Sequence, residues 1–253
     1  MKKVIVLSTA IFAMSCSNVE KAEPAPKEEV KTEVSNSASV SLKDQLDAKK
    51  AAFNEKASEE KKAIYADGIS TVANSGVLSN ALKVGDIAPD FSLTNANGEV
   101  VNLQEYLEKG PVVLTWYRGG WCPYCNLTLS SLQEALPQFK AEGANLLALT
   151  PEVPDKSMTT KEKNELDFEI LSDVGNNVAR EYGIVYTLTD DVAKIYQEGF
   201  DLHGYNGDES NELPLAATYV IDQTGLIQFA FLDAEYRNRA EPSEIITLLQ
   251  DLQ

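Results

Sequence analysis

The sequence predicts an α/β domain, a central mixed β-sheet flanked by helices, carrying a helical arm on its N-terminal side. Three observations predict it. Apolar runs at Pro111-Val112-Val113-Leu114-Thr115 and Asn145-Leu146-Leu147-Ala148-Leu149-Thr150 enclose an amphipathic helical stretch, and strand, helix, strand implies parallel pairing through a right-handed crossover. Thr218-Tyr219-Val220-Ile221-Asp222 and Leu226-Ile227-Gln228-Phe229-Ala230-Phe231, joined by Gln223-Thr224-Gly225, read as an antiparallel hairpin. Between residues 40 and 77, Leu42, Leu46, Phe53, Ile64, Tyr65 and Ile69 recur near helical spacing among charged residues.

The chain begins with Met1-Lys2-Lys3, a short apolar core and small residues up to Ser15. This is the pattern of an export signal over residues 1–15. The next residue, Cys16, resembles the lipid-modified cysteine of bacterial lipoproteins, which would place the protein on the cell envelope, held to a membrane only through the lipid. Residues 16–37 hold Pro24, Pro26, many Glu and Lys and almost no large apolar side chain, so they predict a flexible tether. Residues 38–83 form the helical arm, which either packs on the domain or serves as a partner helix in a homodimer. The main domain spans 84–253.

Within that domain, Asn97-Gly98 turns a hairpin between Phe91-Ser92-Leu93 and Val100 to Leu103, and a short helix follows over Gln104 to Glu108. Leu127, Leu129, Leu132, Leu136 and Phe139 mark a long helix that Pro137 is expected to kink or split and Gly143 to end. Beyond the second strand, Thr159 to Asp167 reads as helix, Phe168 to Leu171 as strand, and Val174 to Tyr182 as helix stopped by Gly183. Tyr186 to Leu213 reads as an inserted loop region. Pro242 opens a final helix through Leu252. The order of elements is that of a thioredoxin-like sheet.

Charge and cysteine usage narrow the chemistry. Asp and Glu number 39 against 22 Lys and Arg, a net charge of -17, which argues against nucleic acid and anionic lipid as partners because both need a basic surface. There are three cysteines and one histidine. With Cys16 committed to lipid, Cys122 and Cys125 remain, too few for a disulfide scaffold. With only His203 to add, the ligand count for a structural zinc site does not close, so no metal or other cofactor is expected. The pair lies in Trp116-Tyr117-Arg118-Gly119-Gly120-Trp121-Cys122-Pro123-Tyr124-Cys125-Asn126-Leu127, between a strand and a helix with Pro123 in its first turn. A dithiol at a helix N-terminus, beside the cation Arg118, is placed to hold a thiolate. Tyr117 and Trp121 flank the pair as supporting residues.

This motif, together with Val84-Gly85-Asp86-x-Ala88-Pro89-x-Phe91, Leu171-Ser172-Asp173-Val174-Gly175 and Tyr219-Val220-Ile221-Asp222 with Gly225, resembles the peroxiredoxin-like branch of the alkyl hydroperoxide reductase and thiol-specific antioxidant family. The resemblance implies a thioredoxin fold, a thiol peroxidase acting on hydrogen peroxide or organic hydroperoxides, and a thioredoxin-like reductant. Aligned on that family, Cys125 falls on the attacking cysteine and Cys122 closes an intramolecular disulfide with it. Aligned on thioredoxin-like disulfide oxidoreductases, Cys122 is the exposed nucleophile and a protein disulfide is the substrate. A non-catalytic, lipid-tethered binding module is the third reading. The positions expected to hold the family's supporting arginines carry Asn176-Asn177 and Ala216. Glu152 is a candidate proton-handling group. His203, in a polar loop, reads as a surface or locally bonded histidine ahead of a proton shuttle, and Tyr236, Arg237 and Arg239, which follow the last strand, read as solvated surface ahead of side chains that reach the site.

Overall fold

The computed structural model describes residues 40–252. The export signal over 1–15, the lipidation site Cys16 and the tether over 16–37 lie outside the described residues. Helix α1 (Leu42–Lys56) begins where the Ser41 hydroxyl accepts the Asp44 amide, and α2 (Glu59–Asn74) begins where Ser58 accepts Lys61. Each serine satisfies an amide that the first turn leaves without a helical partner. A short α3 (Val77–Asn80) leads into β1 (Ser92–Asn95) and β2 (Val100–Asn102), then α4 (Leu103–Leu107) and β3 (Val112–Trp116). After β3 come α5 (Pro123–Ala141), β4 (Asn145–Thr150), α6 (Pro154–Lys163), β5 (Glu169–Ser172) and α7 (Asn177–Glu181). The chain closes with β6 (Val185–Thr187), α8 (Asp190–Phe200), α9 (Leu202–Asn206), β7 (Glu212–Pro214), β8 (Thr218–Ile221), β9 (Ile227–Phe231) and α10 (Pro242–Asp251).

Seven strands form one mixed sheet in the order β2-β1-β5-β4-β3-β8-β9, and β6 pairs with β7 apart from it. The central strand β3 runs parallel to β4, with Thr115 opposite Ala148, and antiparallel to β8, with Thr115 opposite Thr218. Successive side chains of a strand point to opposite faces. Val112, Leu114 and Trp116 therefore enter one core, with Leu147, Leu149 and Tyr219, while Val113 and Tyr117 enter the other, with Leu129, Leu132 and Ala148. Because helices cover both faces, every residue of β3 is buried. The site-bearing end of β3 is thus clamped from both sides.

The arm packs on this domain: α1 lies against α5, and α2 against α8. Phe53 of α1 meets Tyr65 of α2 edge to face, and Tyr65 reaches Tyr196 of α8 at 6.1 Å between ring centres.

Four stretches differ from the sequence expectation. Helix α5 runs unbroken through Pro137. Pro137 sits on the exposed face, where the unpaired Gln133 carbonyl can meet water, while buried Leu132, Ala135, Leu136 and Phe139 hold the helix on the sheet. Helix α6 starts at Pro154, whose fixed φ suits a first helical position, and ends at Lys163 before Glu165 turns left-handed. Helix α7 begins only at Asn177, because Val174 to Asn176 form a turn in which the buried Asp173 carboxylate accepts the amides of Val178 and Ala179. The inserted loop expected over 186–213 is instead largely helical. Val192, Tyr196 and Phe200 recur every four residues on the inner side of α8, and Asp201, with φ 58°, breaks the chain before α9.

Candidate active site

The site forms where β3 ends and α5 begins. Between them the chain must turn within Tyr117 to Trp121, and two glycines make the turn possible. A Cβ on Gly119, whose φ is +153°, would lie 2.1 Å from Trp121 Nε1, and one on Gly120 would lie 2.1 Å from Thr160 Oγ1. Neither position has room for a side chain. The turn is held from below by Glu152, which follows β4 and is fully buried. Its carboxylate accepts the Gly120 amide at 2.8 Å, the Tyr117 hydroxyl at 3.0 Å and the Thr160 hydroxyl at 3.4 Å. Burial raises the Glu152 carboxyl above its ordinary range, against the opposing pull of these three donors. Tyr117 and Glu152 thus position the turn through each other.

Cys122 is the N-cap of α5, Pro123 takes the first helical position, and Cys125 follows in the first turn. No side chain caps this end and the Asn126 amide bonds the Cys122 carbonyl, so the positive end of the helix lies beside the two cysteines. The two cysteines are free thiols that approach to near 3.1 Å, 1% and 0% exposed.

Two cations converge on the pair. Arg118, 1% exposed, places Nη1 3.9 Å from Cys122 Sγ and donates from Nη2 to the Tyr196 hydroxyl at 2.7 Å. Its guanidinium also lies over the rings of Tyr236, Trp121 and Tyr196, 4.1, 5.2 and 5.3 Å from their centres. Trp121 in turn stacks on Phe200 at 4.2 Å. Among the described residues no carboxylate pairs with Arg118. A buried cation without a carboxylate needs another anion near it, and the cysteine pair is where one can form. Arg239 is the second cation, its Nη2 3.4 Å from Cys125 Sγ.

These contacts separate the two sulfurs. Burial works to raise the Cys125 thiol. It is outweighed by the hydrogen bond from Cys122, the charges of Arg239 and Arg118 and the Arg118 amide, so Cys125 is held well below the usual thiol range. Cys122 is held well above it, by burial first and then by its hydrogen bond to Cys125. Both shifts favour negative charge on Cys125 with the proton kept on Cys122. The alternative in which Cys122 is the exposed nucleophile meets a buried Cys122 with the higher affinity for its proton.

A small cavity of about 20 Å³ lies on the far side of Arg118, lined by Tyr65, Ile69, Val72, Val192, Tyr196 and Tyr236 among others. Arg118 Nε is buried without a hydrogen-bond partner among the described residues. A space of this size holds a molecule no larger than about one or two waters.

The family model for the AhpC/TSA family matches residues 84–230. The chain belongs to the AhpC/TSA family. Among its relatives, peroxiredoxin Bcp of Escherichia coli strain K12 is 33% identical over 105 residues, 42% of this chain and 67% of that protein. The chloroplastic peroxiredoxin Q of Oryza sativa subsp. japonica is 27% identical over 187 residues, 72% of this chain and 74% of the relative. The fold is shared with peroxidoxin BcpB from Mycobacterium tuberculosis, with TM-score 0.55 and 20% identity over 68% of this chain and 99% of that one. It is also shared with Xanthomonas campestris peroxiredoxin Q, with TM-score 0.52 and 15% identity over 68% and 98%. The central sheet with its flanking helices is thus the thioredoxin-like fold that the resemblance implies.

Set against that family, the site residues named from sequence come together: Cys122, Cys125, Arg118 and Trp121 share one cluster, with Tyr117 bracing the turn beneath it. Asn176 and Ala216 supply no charge; Asn176 Nδ2 donates to the Glu212 carbonyl, and Ala216 is buried. The second cation comes from elsewhere. Of the two readings of Tyr236, Arg237 and Arg239, solvated surface gives way to reach toward the site for Tyr236 and Arg239, since Tyr236 carries Arg118 on its face and Arg239 reaches Cys125. Arg237 instead pairs with Glu235. His203 lies in α9 with Nε2 2.9 Å from Asn211 Oδ1, a local contact away from the dithiol. Sequence reasoning missed Tyr65 and Tyr196; the four-residue recurrence Val192, Tyr196, Phe200 was the one signal that could have placed the second.

Proposed function

We propose that the protein is a cysteine-based thiol peroxidase in which Cys125 attacks and Cys122 resolves. The observation that carries this reading is Arg239 on the Cys125 sulfur, with Arg118 bridging to Cys122. The Cys125 thiolate attacks the terminal oxygen of a hydroperoxide. A sulfur–oxygen bond forms, the oxygen–oxygen bond breaks, and the leaving alkoxide takes up a proton to become an alcohol, or water from hydrogen peroxide. Arg118 and Arg239 stand where the negative charge moves from sulfur to the departing oxygen. Cys122 then gives up its proton and attacks the Cys125 sulfenic sulfur, forming the disulfide as water leaves. A dithiol reductant such as a thioredoxin-like protein restores both thiols.

The test is peroxide consumption with dithiothreitol as reductant, compared with Cys125→Ser. Turnover by the native chain and none by the variant is expected; equal rates would overturn the reading. A sulfenic acid trapped by dimedone on Cys125 of the Cys122→Ser protein, found by mass spectrometry, places the attacking sulfur.

Export and lipidation at Cys16 are part of the same proposal, supported by the basic start, apolar core and small residues before that cysteine. On expression of the full chain in bacteria, Cys16→Ser is expected to move the protein from the membrane fraction to the soluble one.

A further inference from the structure

The groove that opens beside the dithiol has a charge opposite to that of the rest of the molecule. Its volume is about 450 Å³, and it runs between the end of α1, the start of α2 and the first residues of α5, with Phe53, Pro123 and Tyr124 on its floor. Lys49, Lys56 and Lys61 line it and are exposed. Among the described residues none of the three forms an ion pair, whereas Lys43, Lys50 and Lys62 on the same two helices are paired with Asp47, Glu235 and Glu59. Three unpaired cations along one groove, in a chain of net charge -17, give a local attraction for anions that the whole-molecule field opposes. Pro123 and Tyr124, which join the two cysteines in sequence, line the groove and Pro123 is exposed, so an occupant of the groove touches the segment that carries the redox pair. Both α1 and α2 lie outside residues 84–230, the span of the family model.

We infer that this groove is the docking surface for the protein that reduces the Cys122–Cys125 disulfide, a dithiol protein presenting acidic residues around its own cysteines. The inference rests on the peroxidase reading only for how the disulfide arises. Charge complementarity selects the occupant, because its acidic side chains meet Lys49, Lys56 and Lys61, and its apolar surface meets Phe53 and Tyr124. In the exchange, one reductant thiolate attacks Cys122 Sγ; a mixed disulfide forms as the Cys122–Cys125 bond breaks and Cys125 leaves as the thiolate beside Arg239. The second reductant thiolate displaces Cys122. Two electrons and two protons pass in all from the reductant dithiol, which ends as a disulfide, to the protein dithiol.

The experiment uses the oxidised protein and two reduced synthetic peptides, each with a Cys-Gly-Pro-Cys pair, one flanked by four glutamates and the other by four glutamines. Disulfide opening is followed by tryptophan fluorescence in low salt and in 0.5 M salt. The acidic peptide is expected to react at least about tenfold faster than the neutral one in low salt, a difference equivalent to about 1.4 kcal/mol. The advantage should vanish in high salt, where screening shortens the reach of each charge, and in the K49E/K56E/K61E variant. Dithiothreitol should reduce both proteins at equal rates, which reports that the variant is folded with its disulfide intact. Equal peptide rates on the native protein, or an acidic advantage that survives in the variant, would overturn the inference. So would charge-dependent binding to phosphatidylglycerol vesicles without any preference between peptides. Absence of peroxide turnover with dithiothreitol would count against the peroxidase reading and leave the peptide preference to be judged separately.

Discussion

The β3–α5 junction and the segments that flank the family domain contribute different things to one site. The junction, inside residues 84–230, supplies both sulfurs, Arg118 and the glycine turn, all set by the register of the central strand. The flanks supply Arg239 against Cys125, Tyr65 against Tyr196, and the three unpaired lysines. The contrast teaches that the scaffold fixes where the dithiol stands and supplies one of its cations, while the second cation and part of the cover come from outside the scaffold. Positions in the junction are over-determined by packing on both sheet faces. The flanks act through single contacts that can be removed one at a time.

That division can be broken at four depths. Deleting the nucleophile by Cys125→Ser should remove peroxide turnover altogether, a loss on the order of a millionfold where a covalent nucleophile is deleted, read as peroxide consumed with dithiothreitol. Next is the strand itself: Trp116→Ala removes a ring buried against Tyr182 and Tyr219. It should cost about 3–5 kcal/mol of stability in a urea titration. Third, Arg239→Met should leave stability nearly unchanged and slow the reaction with peroxide roughly 100-fold, the scale seen when one donor to a developing charge is lost.

The same variant has a signed pH dependence. The reactive form is the thiolate, and Arg239 helps hold Cys125 below its ordinary range. The native rate should therefore persist to a pH well below that at which an ordinary thiol is protonated, and decline only beyond it. Without Arg239 the thiol rises, so the acid limb moves to higher pH and the deficit grows as pH falls. An unmoved limb would mean that Arg239 sets no charge on sulfur. The smallest effect belongs to the arm: Tyr65→Ala deletes the edge contact with Phe53 and the approach to Tyr196. It should cost about 1 kcal/mol and raise hydrogen exchange in α2 while leaving that of β3 unchanged.

Much of the junction was legible in the sequence because its signals are local. The β-branched run before Trp116, the glycine pair and Pro123 between the cysteines each act within a few residues, and the structure follows them. The hairpin at Gln223-Thr224-Gly225 is of the same kind. Arg239 was legible only as a side chain that could reach the site and not as a partner of Cys125, since it meets that residue across 114 positions of sequence and sits in irregular chain where no periodicity gives direction. Residues 186–213 misled for another reason. Their helices are short and interrupted by Asp201 and Gly207, both left-handed, and the turn signals outweigh the apolar pattern of α8. At Pro137 the local rule was sound and tertiary burial overrode it.

The close approach of Cys122 to Cys125 inside the buried first turn of α5 also bears on the enzyme's lifetime. Oxidised sulfur has two competing fates: capture by a neighbouring thiol, or a second encounter with oxidant that carries it irreversibly to the sulfinic acid. Here the capturing thiol already stands beside it, so no helix has to unwind before the safe outcome can occur. Catalyst survival under a peroxide surge is then governed by the supply of reductant. Turnover number should hold as peroxide is raised, and collapse only when Cys122 is replaced.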